Sequence, residues 1–325
     1  MVPPIIKGVA LMKEQTVDLH QLLEVEAVEE VRTEVILIHR LAFPASSTLL
    51  FERCFDDTVR LFSGSYAGYQ ACKTEYHDLR HTLEVVLATV RMTHAAVLSG
   101  RELQPHVAEL ALVSAMMHDT GYIQPIGESG TGGQYTLEHV ERSAEFFLQY
   151  SQQLGLSELD QERCCCMITA TSLSVDPDEI IFPDPGTELA AKLVASADLI
   201  GQLSDRIYLE KLLFLYQEFR EAGIMAYANE LDLLSKTCAF YKMVQQRLEE
   251  KLDGLDQLLH LHFKSRWNID SDLYRDSITL NFTYLEKLLQ DSKENYRSKL
   301  KRGGIVARIM KAEEAANGVQ QFGAL

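Results

Sequence analysis

The chain has 325 residues, of which 46% are hydrophobic, and a formal net charge of −16 at pH 7. This composition supports a sizeable core in one large domain or two smaller ones, and it is unlike that of a disordered chain. The negative charge argues against a protein that coats a nucleic-acid polymer, because binding to a phosphate backbone needs a basic surface.

Helical periodicity runs through most of the chain. From about residue 17 onward, apolar positions recur at three- and four-residue spacing, which predicts an all-α fold without a substantial sheet. In chain order, the predicted helices lie near 17–42, 47–63, 74–99, 105–119, 136–154, 158–173, 187–203, 205–222, 225–252, 255–264 and 271–297. Between them, the glycine-rich segment 127–133 predicts a mobile loop, and the proline-rich segment 175–186 predicts a structured connection.

No apolar stretch has the length of a membrane helix. The longest, such as 110–117, fall far short of the roughly 20 residues that a bilayer requires. Residues 1–7 lack the basic and apolar regions of a signal peptide. We therefore expect a cytoplasmic protein that has no membrane partner.

Two pairs of polar residues stand out against this helical background. His77 and His81 are four residues apart within a predicted helix, so they are expected to share one face of it. His118 and Asp119 come at the end of an apolar helix, just before Gly121, which favours helix termination. The imidazoles of His77 and His81 can then be directed at one point, and the helix end exposes the side chains of His118 and Asp119.

A further carboxylate, Asp198, falls in a strongly apolar predicted helix. An unpaired buried charge costs several kcal/mol, so a cation is expected nearby. Two imidazoles and two carboxylates form a mixed nitrogen and oxygen ligand set that suits a divalent transition metal, such as Zn, Mn, Fe or Ni, and leaves positions open for water. His81, His118, Asp119 and Asp198 are thus the candidate ligands of a catalytic metal centre.

The ordered set His81, His118-Asp119 and Asp198 resembles the H…HD…D signature of the HD superfamily of metal-dependent phosphohydrolases, over roughly residues 50–220. Within that superfamily, the segment 76–81, Tyr-His-Asp-Leu-Arg-His, is similar to the Tyr-His-Asn-x-x-His opening of class I cyclic nucleotide phosphodiesterase catalytic domains. The resemblance implies an HD-type multi-helix bundle with additional C-terminal helices. It also implies hydrolysis of a phosphoester by metal-activated water, with His77 as the general acid.

Other residues are candidates for supporting roles. Asp119 is a candidate bridge to a second ion, Mg²⁺ or Mn²⁺, with Glu138 and His139 as its outer-shell partners. Arg80 has two interpretations: it contacts the phosphate of the substrate, or it pairs with an acid such as Glu84.

The substrate is left open by departures from the phosphodiesterase pattern. Thr237 stands where those enzymes carry a purine-binding glutamine, and no histidine closely follows the His-Asp pair. We expect a small phosphorylated substrate of nucleotide type, cyclic or not, and no nucleic-acid polymer. The alternative is a non-catalytic nucleotide-binding or signalling module on an HD scaffold.

The chain divides into four predicted segments. Residues 1–46 form an N-terminal helical extension, and residues 47–225 form the metal-binding catalytic core. Residues 226–298 form a helical region that either completes the pocket or forms a homodimer interface, and residues 299–325 form a flexible tail.

Overall fold

The computed structural model describes residues 17–291 and 295–322. Within those ranges the chain forms fourteen α-helices, joined by loops and short 3-10 turns, and it contains no β-strand, so the prediction of an all-α fold is confirmed. The helices are α1 (Leu19–Leu22), α2 (Val28–Ala42), α3 (Leu49–Phe62), α4 (Leu79–Leu98), α5 (Pro105–Met117), α6 (His139–Leu154), α7 (Glu158–Thr169), α8 (Pro185–Ser204), α9 (Tyr208–Glu221), α10 (Glu230–Glu250), α11 (Leu259–Trp267), α12 (Leu273–Asp291), α13 (Tyr296–Lys299) and α14 (Ile305–Phe322).

The start of α4 differs from the prediction in a way that affects the site. The helix begins at Leu79, because the Asp78 side chain accepts a hydrogen bond from the backbone N–H of His81 at 3.0 Å and caps the helix. His77 therefore precedes the helix, and the prediction that it shares a helical face with His81 was wrong. The predicted helix 17–42 is likewise divided, into α1 and α2.

Helices α4 and α8 form the centre of the molecule. Every residue from 81 to 96 of α4 is buried, and α4 packs against α2, α5, α8 and α11. Helix α8 packs in turn against α5, α7 and α12. A helix surrounded in this way holds its side chains in fixed positions, because protein cores are close-packed. These two helices carry His81 and Asp198.

The hydrophobic core is continuous from Leu19 in α1 to Ile309 in α14. Where a flexible tail was predicted, α14 packs against α9, and Ile305 and Ile309 are buried. Residues 1–16 of the predicted extension lie outside the described part. The boundaries of the four segments remain predictions, and across the described residues no helix is long and apolar enough to cross a membrane.

Candidate metal centre and adjoining cavity

The four predicted ligands lie together in the structure. His81 is in the first turn of α4, His118 follows the last residue of α5, Asp119 comes next in the chain, and Asp198 is in α8. His81 Nε2 lies 3.3 Å from His118 Nε2 and 3.4 Å from Asp119 Oδ2. Asp198 Oδ1 lies 3.2 Å from His81 Nε2 and 3.7 Å from His118 Nε2. Donor atoms of His81, His118 and Asp119 thus lie close enough together to share one ion, and Asp198 approaches the two histidines from α8.

The spacing of these atoms fits a metal ion. Ligands at roughly 2.1 Å from a common ion lie about 3.0–3.4 Å apart at octahedral or tetrahedral angles. Asp119 Oδ2 is buried, and among the described residues no group makes a hydrogen bond to it. His118 Nδ1 contacts the backbone oxygen of Ala115 at 2.8 Å, so with the proton on Nδ1 the lone pair of Nε2 faces the other ligands. A buried, unpaired carboxylate oxygen beside an oriented imidazole is typical of a metal centre.

The electrostatics of the centre favour a bound cation. Burial lowers the pKa of His118, but the carboxylates of Asp119 and Asp198 outweigh it and raise the pKa to about 9. Burial would raise the pKa of Asp119, yet His118 and the other neighbouring histidines hold it well below its usual range. Without a metal, the proton on His118 balances part of the negative charge. Metal binding has to displace that proton, so metal affinity should rise with pH.

Gly121 lets helix α6 approach the centre. A Cβ atom at this position would collide with the backbone oxygen of His139, the first residue of α6. The Gly121 N–H donates to Ser143 Oγ, and the Gly121 carbonyl accepts from Arg142 Nε, both at 2.8 Å. As a result His139 Nε2 lies 3.7 Å from Asp119 Oδ1, the carboxylate predicted to bridge to a second ion.

His77 lies beside the centre, although it is not on the helix. Its ring centroid is 5.9 Å from that of His81, and its ring stacks on Tyr122 at 4.4 Å. His77 Nδ1 is 2.6 Å from Glu218 Oε2. Burial lowers the pKa of His77, but the Glu218 carboxylate outweighs this and raises it overall. The ring is therefore held next to the candidate ligands, in a position where its protonated form is favoured.

Glu218 was not identified from the sequence. It is in α9, 141 residues after His77, and Glu218 Oε1 also accepts the N–H groups of Glu75 and Tyr76 at 3.1 and 2.8 Å. One carboxylate therefore fixes both the backbone before α4 and the ring of His77. No motif in the sequence signals such a long-range contact.

The three supporting residues have different positions. Arg80 turns away from the centre and pairs with Glu84 at 2.9 Å, with Asp205 at 2.8 Å, and with Glu26. Of the two interpretations of Arg80, the structure therefore shows the ion pair with an acid. Glu138 is exposed and is not part of the cavity wall, whereas His139 lines the cavity.

A cavity of about 320 Å³ opens from the metal centre. Asp119, Asp198, His77 and Tyr122 line the part of it beside the centre. Another part of the wall consists mainly of apolar side chains from α9, α10 and the segment between them, among them Leu212, Leu215, Phe219, Ile224, Leu233 and Phe240. Residues of the 226–298 region therefore contribute to the pocket.

Comparison with known proteins gives one partial match. A family model described as Npun_R2479-like matches residues 125–260, which include His139, Asp198 and Glu218 but not His81 or His118. No curated protein and no solved structure matches the chain.

Proposed function

We propose that the protein is a metal-dependent phosphohydrolase of the HD type, which hydrolyses a phosphoester at the centre formed by His81, His118, Asp119 and Asp198. The observation that carries the proposal is the grouping of donor atoms of His81, His118 and Asp119, 3.2–3.4 Å from one another, beside a cavity. Asp198 Oδ1 approaches the same histidines, 3.2 Å from His81 Nε2. His77, a partly buried histidine with a raised pKa, lines the same cavity. Ligands and proton carrier together meet the needs of phosphoester hydrolysis.

The chain's own residues have distinct roles in this reaction. The four ligands would hold a Zn, Mn, Fe or Ni ion, which when bound supplies Lewis-acid activation of water and of the phosphate. His77 donates a proton to the leaving oxygen, and general acid catalysis of this kind contributes roughly 10²–10⁴ in rate. Glu218 holds the His77 ring in position and favours its protonated form. His139 is the remaining donor near Asp119 for a second ion, Mg²⁺ or Mn²⁺.

The second candidate is a binding module that retains the metal but does not turn over a substrate. The observation in its favour is the cavity itself, whose volume is within the range of ligand-binding sites. Metal content and hydrolysis measured on the same samples distinguish the two.

The test uses two histidines at opposite ends of α5. His118→Gln removes a ligand, while His106→Gln, the control, changes an exposed histidine in the first turn of α5. Elemental analysis and hydrolysis of bis(p-nitrophenyl) phosphate are measured with Zn²⁺, Mn²⁺, Mg²⁺, Fe²⁺ and Ni²⁺ added separately. We expect metal and activity in the wild type and the control, and loss of both in His118→Gln. Full metal content and activity in His118→Gln would refute the proposal, and metal without hydrolysis of any ester would favour the binding module.

A further inference from the structure

Two polar side chains of the cavity wall, Thr237 and Gln202, are already hydrogen-bonded within the protein. The Thr237 hydroxyl donates to the Leu233 carbonyl at 2.9 Å. Gln202 accepts from the Tyr76 hydroxyl at 2.8 Å and donates to the backbone oxygen of Asp198 at 3.2 Å. A nucleobase is recognised through donors and acceptors along its edge, and this wall presents mainly hydrocarbon.

Cationic groups for a second phosphate are also scarce. Of the described residues that line the cavity, Lys236 is the one lysine or arginine. Its side chain is 52% exposed, and Nζ lies 2.8 Å from Asp232 Oδ2. Lys211, the nearby buried lysine, pairs with Asp78 at 3.0 Å. Nucleoside di- and triphosphates are normally held by several cationic groups, so the cavity suits a single phosphate at the metal centre.

Tyr122 provides a separate indication of a ligand beside the centre. Its side chain is 1% exposed and lines the cavity, and its hydroxyl has no hydrogen-bond partner among the described residues. The nearby Thr136 hydroxyl uses its proton to donate to the Gly133 carbonyl at 2.7 Å. Buried hydroxyl groups are normally paired, so this one is available to donate to a bound anion.

We propose that the cavity binds an ester of one phosphate group whose organic part is hydrophobic. The phosphate lies at the metal centre and accepts a hydrogen bond from Tyr122, and the hydrophobic part packs against the wall formed by α9 and α10. The cavity volume of about 320 Å³ is at the small end of ligand sites, which suits a short chain or ring better than a dinucleotide.

This inference rests on the proposed function for its chemical step. The oxygen of water bonds to phosphorus and keeps one proton, while its other proton passes to solvent. The bond between phosphorus and the alcohol oxygen breaks, the proton of His77 passes to that oxygen, and His77 is reprotonated from solvent. The products are a hydrophobic alcohol and a phosphate that has gained the oxygen of water. No oxidant or further reactant is needed.

The test is binding of n-alkylphosphonates, which cannot be hydrolysed, to the metal-loaded protein by titration calorimetry. We expect affinity to rise about 3- to 4-fold per added methylene until the cavity is full. Adenosine monophosphate and cyclic adenosine monophosphate should bind more weakly than octylphosphonate. An affinity that is independent of chain length would overturn the inference.

Variants of α10 localise the effect to the cavity wall. Phe240→Gln places a polar group in the wall and should weaken octylphosphonate binding about 10-fold, while methylphosphonate binding and metal content stay unchanged. Met243→Gln is the control, because Met243 is on the same helix, is 44% exposed and is not part of the wall. Leu215→Gln, a half-buried wall position on α9, repeats the test should Phe240→Gln fail to fold.

The outcomes separate this inference from the proposed function. Chain-length-dependent binding without hydrolysis of any ester would support the hydrophobic site and refute the phosphohydrolase. Metal-dependent hydrolysis that favours nucleotides over alkyl and aryl phosphates would support the phosphohydrolase and refute the hydrophobic site. Equal loss of octylphosphonate binding in Phe240→Gln and Met243→Gln would also refute the hydrophobic site.

Discussion

Replacing Asp198 by asparagine removes one charged ligand while almost preserving the shape of the side chain. A metal at 100 times its dissociation constant stabilises the folded wild type by about 2.7 kcal/mol. Unfolding entropy is about 2.1 cal/mol/K per residue. For 325 residues this amounts to about 0.7 kcal/mol/K, so the wild-type Tm should rise by about 4 °C. If Asp198→Asn weakens metal affinity 100-fold, the gain falls to about 0.4 kcal/mol and the Tm rise to less than about 1 °C.

The assay is thermal unfolding of each protein with and without the metal, at one metal concentration. Each protein is compared with its own metal-free form, so any direct effect of the substitution on stability cancels. Glu188→Gln makes the same charge change on the same helix, at a position that is about half exposed and pairs with Lys192, and should keep the wild-type rise. If the metal raised the Tm of Asp198→Asn and of Glu188→Gln by the same amount, Asp198 would not be a ligand.

Three further predictions concern the surroundings of the centre. Tyr122→Phe should retain metal but lower kcat by roughly 10²–10³ in steady-state assays, because one donor to the reacting phosphate is lost; an unchanged kcat would contradict this. Glu218→Gln removes the charge that raises the pKa of His77, so His77 should lose its proton at lower pH and the alkaline limb of the pH–rate profile should move to lower pH. An alkaline limb that stays in place would exclude His77 as the proton donor. Gly121→Ala should lower the free energy of unfolding by about 1–3 kcal/mol in urea titrations, because the alanine methyl group would collide with the backbone oxygen of His139. A variant as stable as the wild type would contradict the close approach of His139 to Gly121.

The proximity of the candidate ligands could be predicted because their positions depend mainly on local signals. His81 and Asp198 are in two long apolar helices, and His118 with Asp119 follows a third. Helices that are apolar on most faces are central in a fold, so their polar residues are brought close to one another. The periodicity thus assigns each candidate ligand to a helix or to the end of one. Burial of the apolar faces of these helices then brings the helices into contact.

The position of His77 was predicted for a partly incorrect reason. Apolar and helix-compatible residues before α4 extended the predicted helix to residue 74, whereas Asp78 caps it. Aspartate is a preferred N-cap residue, and this signal was present in the sequence. The ring of His77 reaches the centre from the extended segment because Glu218 binds both that segment and the ring.

The cavity wall could not be predicted, because it depends on contacts between distant parts of the chain. The regularly spaced leucines of α9 and α10 are compatible with a core, an interface or a pocket, and periodicity does not distinguish these. In the structure, Leu212, Leu215 and Leu233 face the cavity. The family match over residues 125–260 includes this wall but names no activity.

Arg80 stabilises the arrangement of helices around the centre, although it does not contact the centre itself. The guanidinium group donates to both Asp205 oxygens, at 2.8 and 3.4 Å, and to Glu84 at 2.9 Å. Although burial alone would raise the pKa of Asp205, Arg80 lowers it, so the pair is ionic. Asp205 directly follows α8, and Arg80 directly precedes His81 in the chain, so this ion pair links the helix that carries Asp198 to the helix that carries His81. Helix packing and this ion pair thus together set the distance between His81 and Asp198.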